Sequence, residues 1–109
     1  MQVDIKDIGG EIIKDNETYL LKDNKFLNNL VLSSTELKGH QQTTGHRHEG
    51  QEEVYFFISG TGFITVDEKE YDVGPGSVIL IPDGAYHRVY NDTEESLYFV
   101  CVFDGKRSH

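Results

Sequence analysis

Basic residues are scarce in this sequence: ten lysines and arginines stand against nineteen aspartates and glutamates, a formal net charge of −9 over 109 residues. A surface of that sign repels phosphate backbones and anionic headgroups, so neither nucleic acid nor a membrane is expected as a partner. Cysteine occurs once, as Cys101, which excludes a disulfide framework within the chain. Its place inside the apolar run Leu97 to Phe103 predicts a buried, inert thiol. No apolar run approaches the ~20 residues that span a bilayer. The opening residues Met1-Gln2-Val3-Asp4-Ile5-Lys6 lack the basic start and apolar core of a secretion signal, and the chain is expected in the cytoplasm.

What is present suits one domain over residues 1–109, with a single core. Hydrophobic residues make up 37% and charged residues 27%, ordinary values for a globular protein. Residues 1–25 are polar with scattered aliphatics. Val3 and Ile5 alternate as a strand would, and Gly9-Gly10 breaks the run. Tyr19 to Leu21 reads as a short strand ended by Lys22-Asp23-Asn24, whereas a helix over residues 11–22 finds only weak periodicity. These segments are expected to form N-terminal strands or an arm across a sheet edge.

From Leu27 onward the texture is β. Strands are predicted at Leu30 to Leu37, Val54 to Ile58, Phe63 to Val66, Tyr71 to Val73, Ser77 to Ile81, His87 to Tyr90 and Leu97 to Phe103. Turn signals such as Ser59-Gly60, Gly74-Pro75-Gly76 and Pro82-Asp83-Gly84 separate them. Short strands with turns every ~8 to 12 residues mark an all-β sandwich or barrel.

The chemistry gathers at His46-Arg47-His48-Glu49-Gly50-Gln51-Glu52-Glu53. In a strand the side-chain period is two, so His46 and His48 point to one face, about 7 Å apart, and Arg47 to the other. Glu53, Tyr55 and Phe57 share a face on the next strand, and Glu52 takes the opposite one; parity alone leaves both acids open as ligands. His87 opens a later strand, with Val89 and Asn91 on its face. Three neutral imidazoles and a carboxylate suit a divalent first-row ion such as Fe, Mn, Ni or Zn. An octahedral ion with four protein ligands keeps two positions for water, substrate or dioxygen.

Two longer patterns contain these residues. Gly76, Pro82, Gly84, His87 and Asn91 follow the spacing Gly-x5-Pro-x-Gly-x2-His-x3-Asn. His46, His48, Glu53 and Gly60 follow His-x-His-x4-Glu-x6-Gly, preceded by Gly39. In these two motifs the sequence resembles the cupin superfamily, specifically its small single-domain members. One departure occurs: six residues separate Gly39 from His46 where the family has five, and His40 stands at the family's glycine position. The motifs cover residues 39–91. The resemblance implies a double-stranded β-helix, or jelly-roll cupin barrel, with metal ligands at His46, His48, Glu53 and His87. Its spacing to Gly60 selects Glu53 over Glu52. It also implies dimers, often with strand exchange, and Val54, Phe56, Ile58, Phe99 and Cys101 count as apolar surface in excess of one small barrel's core.

Around the metal, Tyr55, Phe57, Val89 and Asn91 line the expected face, and Gln42, Thr44 and Gln51 flank the histidine pair. Tyr55 and His40 are the candidate catalytic groups, Tyr55 because a buried hydroxyl needs a partner. Between His46 and Phe103 the only cations are Arg47, Lys69 and Arg88. Parity turns both arginines away from the metal face, and Lys69 falls in a hairpin turn. A phosphorylated sugar normally meets a cation, so an isomerase of such sugars is disfavoured. The expected ligand is a small molecule that binds through the metal itself: a hydroxy acid, keto acid, vicinal diol or diketone. The leading expectation is a metal-dependent dioxygenase, isomerase or lyase, and the alternative is a non-catalytic module that senses a small ligand or metal.

Overall fold

The computed structural model describes residues 1–105; His109 lies outside them. Nine strands form in chain order: β1 (Glu11–Asp15), β2 (Tyr19–Asn24), β3 (Leu30–Leu37), β4 (Glu53–Ser59), β5 (Gly62–Val66), β6 (Lys69–Val73), β7 (Val78–Ile81), β8 (His87–Tyr90) and β9 (Leu97–Asp104). They make a six-stranded sheet in the order β1-β2-β3-β9-β4-β7 and a three-stranded sheet in the order β6-β5-β8. Every strand pairing is antiparallel. The second sheet is extended past β8 by the segment before β4, through isolated bridges from Gln42 to Tyr90 and from His46 to His87. The all-β architecture expected from the alternation, and the jelly-roll barrel implied by the resemblance, are the fold observed, with no helix among the described residues.

The core lies between the sheets and takes alternate residues from each strand. Tyr55 and Phe57 of β4 and Phe99 of β9 form its aromatic centre, with Tyr55 stacked on Phe99 at 5.5 Å and Phe57 tilted against it at 5.1 Å between ring centroids. Ile64, Val89, Leu97 and Phe103 close around them. Each such side chain contributes about 1.5–3 kcal/mol by leaving water.

The amino-terminal quarter departs from its reading in two ways. Val3 and Ile5 form no strand: their segment is a turn in which the Asp7 amide donates to the Asp4 carbonyl at 3.0 Å. It lies on the outer face of the larger sheet, where Ile8 is buried and the Tyr98 hydroxyl donates to the Ile5 carbonyl. Residues 11–22 take the strand reading and not the weakly periodic helical one: they form a β-hairpin, whose turn the Asn16 side chain closes by accepting from the amides of Thr18 and Tyr19. Strand β2 runs on through Lys22-Asp23-Asn24, since β3 offers it a continuous ladder from Leu37 to Leu32. The hairpin thereby extends the sheet edge, as an arm would.

Phe99 and Cys101 also need correction as surplus apolar surface. Strand β9 is paired on both sides, with β3 and β4, and both residues are buried in the core. Cys101 is the interior thiol its neighbours suggest. The outward apolar residues are instead Val54 and Phe56 of β4, opposite Leu80 and Val78 of β7.

Candidate metal centre

His46 and His87 are held side by side by backbone bonds in both directions: His87 donates to the His46 carbonyl at 2.9 Å and His46 to the His87 carbonyl at 3.2 Å. Directly opposed residues of an antiparallel pair project to the same face, and their ring centroids stand 4.5 Å apart. His48 follows two residues later on the same side, 4.6 Å from His46 and 5.8 Å from His87. The loop that carries it is fixed to the turn before β8, where the Gly84 amide donates to the His48 carbonyl at 3.0 Å and the Gly50 amide to the Asp83 carboxylate at 2.7 Å. One nitrogen from each of the three rings lies within 4.8 Å of the others.

Glu53 arrives from the opposite sheet as the first residue of β4. It is buried, while Glu52 and Glu49 are exposed. The two acids that parity left open are separated by which face of β4 meets the core, and Glu53 is the inward one. Its Oε2 lies 3.0 Å from Nε2 of His87. Burial pushes the Glu53 carboxyl up, but the His87 hydrogen bond and the nearby charges of His87, His48 and His46 outweigh it and hold the acid below its usual range. Burial, and then the charges of His87 and His48, push His46 down to about 4. Both groups are therefore in the form a cation requires at neutral pH: a lone pair on the imidazole and a charge on the carboxylate.

The rings are oriented from behind. Nδ1 of His46 lies 2.8 Å from the Thr44 carbonyl and Nδ1 of His87 lies 3.1 Å from the Ala85 carbonyl. A carbonyl only accepts, so each Nδ1 carries the proton and Nε2 is left with its lone pair. Fixed tautomers of this kind preset imidazoles as metal ligands. The donor set and its geometry fit a divalent transition ion.

A cavity of about 280 Å³ adjoins the triad, with His46, Glu53 and Tyr55 on its wall. Tyr55 meets the His87 ring edge-on at 5.8 Å. Thr44 lines this cavity, and so does Thr43, which strand parity did not single out. His40 does not: it lines a separate cleft with Gln42, Phe63 and Tyr90. Gln51 donates to the Asp104 carbonyl. Asn91 points away from the centre and braces the fold. Its amide donates to the carbonyls of Leu37, Lys38 and Glu95, and its oxygen accepts from Thr93. Arg88 donates to the Thr43 carbonyl at 2.7 Å, and Arg47 and Lys69 line a third surface cleft. One cation does reach the cavity, and it precedes the stretch from His46 to Phe103: Lys14 of β1.

A two-sheet antiparallel barrel with imidazoles from one sheet facing a carboxylate from the other defines a class of small β-barrels built around a metal-binding centre. The model of the cupin domain family matches residues 34–103, which include all four of these side chains, and the chain belongs to that family. It is 31% identical over 68 residues to uncharacterized protein MJ1618 of Methanocaldococcus jannaschii, covering 62% of this chain and 54% of that one. It is 36% identical over 63 residues to 5-aminosalicylate 1,2-dioxygenase of Comamonas sp., covering 58% of this chain and 17% of the enzyme. The chain thus spans about half of the first relative and a small part of the second. Among solved structures, TT1209 from Thermus thermophilus superposes with a TM-score of 0.78 at 24% identity, over 85% of this chain and 89% of that one, a likeness of fold.

Proposed function

We propose that the chain is a metal-dependent enzyme of the dioxygenase type, acting on a small polar molecule in the cavity beside His46, His48, Glu53 and His87. The observation that carries this reading is the convergence of three imidazoles, two with preset Nδ1 protons, and one buried carboxylate beside a single cavity. A divalent ion held there supplies Lewis acidity and, if it is iron, one-electron chemistry. The side chains do the rest. The four ligands fix the centre, Tyr55 and Phe99 give the substrate an apolar wall, and the Tyr55 hydroxyl is the candidate group to exchange a proton with it. The dioxygenase class is favoured over isomerase or lyase by the likeness to 5-aminosalicylate 1,2-dioxygenase.

The test is elemental analysis of protein purified without added metal, followed by oxygen consumption with Fe(II)-loaded protein on hydroxy acids, keto acids and diketones. Turnover that disappears in His48→Ala, with folding intact, supports the enzyme. Tight binding of a compound that is never transformed favours a sensing module.

The outer face of the larger sheet supports a homodimer. Val54 faces Leu80 and Phe56 faces Val78 across the β4–β7 ladder, and Leu80 is 71% exposed. An uncovered apolar row on a sheet is a common assembly surface. Light scattering at micromolar concentration should give twice the mass of the chain, and Leu80→Glu should halve it.

A further inference from the structure

A regular strand would put Ile12 and Lys14 on the same face. In β1 it does not. Ile12 pairs with Lys22 and Lys14 pairs with Leu21, with Ile13 as the extra residue of a bulge. Directly opposed residues share a face, so Ile12 joins Lys22 on the outer side of the sheet, where Lys22 meets Asp7 at 3.5 Å. Lys14 joins Leu21 on the inner side. Bulges re-aim side chains in this way and are over-represented next to active sites. The result is that Lys14 lines the cavity that His46 and Glu53 also line, with its ammonium 5.9 Å from the Tyr19 ring centroid.

We infer that Lys14 is the specificity-determining cation of this cavity, and that the ligand it selects is a small organic carboxylate. The inference rests on the metal reading above and narrows it. Among the described residues, Lys14 is the only lysine or arginine on the cavity wall, which also carries the hydroxyl-bearing residues Ser33, Thr35 and Thr43. In a chain of net charge −9, an anion approaches this mouth only against the field of the remaining surface, and a local cation offsets that cost. A divalent ion on Glu53 leaves the inner end net positive, so a carboxylate is favoured at both ends of the cavity. One ammonium offsets the single charge of a carboxylate but only half that of a phosphate dianion. A cation that the sequence between His46 and Phe103 did not offer the metal face is thus present, delivered by a strand whose bulge defeats parity.

Calorimetric titration of Mn(II)-loaded protein with pyruvate and with its neutral amide tests the assignment. Lys14→Gln should weaken pyruvate binding about tenfold, leave the amide's affinity unchanged and leave Mn(II) affinity unchanged; Lys14→Arg should restore pyruvate binding to within a few fold. Pyruvate affinity indifferent to Lys14→Gln, or no pyruvate binding by metal-loaded protein, overturns the Lys14 assignment and leaves the metal reading standing. Tighter binding of inorganic phosphate than of pyruvate overturns the carboxylate class. Failure of the wild-type chain to bind Mn(II) overturns the metal reading and the inference together.

Discussion

Nε2 of His87 and Oε2 of Glu53 stand 3.0 Å apart, although one belongs to the smaller sheet and the other to the larger. The contact joins the two layers of the barrel at its metal centre. With the His87 Nδ1 proton directed at the Ala85 carbonyl, the two atoms are joined in metal-free protein only by a further proton on one of them, and a metal ion would take that proton's place. A double-mutant cycle with Glu53→Gln and His87→Gln should show a coupling of about 1–3 kcal/mol in denaturant unfolding of metal-free protein. Either single substitution should also weaken Mn(II) binding at least ~10-fold, read by calorimetry.

Acid should destabilise the metal-free protein in two overlapping steps. His46 sits at about 4 in the folded chain against 6.5 for an ordinary histidine, so the unfolded chain takes up a proton first. Stability therefore falls as the pH drops from about 6.5 towards 4. Glu53, held below its ordinary 4.5, adds stability that is present above that value and lost as the pH falls further. Thermal midpoints measured between pH 7 and 4 should decline, and His46→Gln should flatten the upper part of the decline.

His40 occupies the motif's glycine position with a left-handed backbone, φ 59°. A non-glycine residue there costs about 1–2 kcal/mol, part of which the flexibility of glycine would offset in the unfolded chain. His40→Gly should raise stability by about 0.5–1 kcal/mol in denaturant unfolding. Because His40 lines a cleft separate from the cavity beside the triad, the same variant should keep its metal affinity. A loss of turnover with metal binding intact would instead support the catalytic role expected for His40.

Asn91 should prove structural. Its buried side chain serves carbonyls at the end of β3 and in the turn before β9. Asn91→Leu leaves those carbonyls without their donor and should cost about 2–4 kcal/mol, with Mn(II) affinity of the folded fraction unchanged.

Gly60 shows why a motif glycine need not touch the site. Its φ is +83°, and a Cβ there would stand 2.4 Å from the Ser96 carbonyl oxygen. The turn between β4 and β5 therefore demands glycine, and its fixed distance from Glu53 records the length of β4. That is how spacing along the chain could select an acid that strand parity left open.

The sequence by itself determined the strands from β3 onward and the identity of the histidine pair. Both depend on local periodicity: a strand alternates every second residue whatever it pairs with, and His46 and His48 share a face for that reason alone. Tertiary structure decided what depends on pairing between distant segments. It turned Glu53 inward by setting β4 against β9 and β7, put Phe99 and Cys101 in the core by flanking β9 on both sides, and sent His40 and Asn91 away from the centre. It also brought Lys14 to the cavity, because a bulge is defined by the register of two strands, and register belongs to the pair rather than to either sequence.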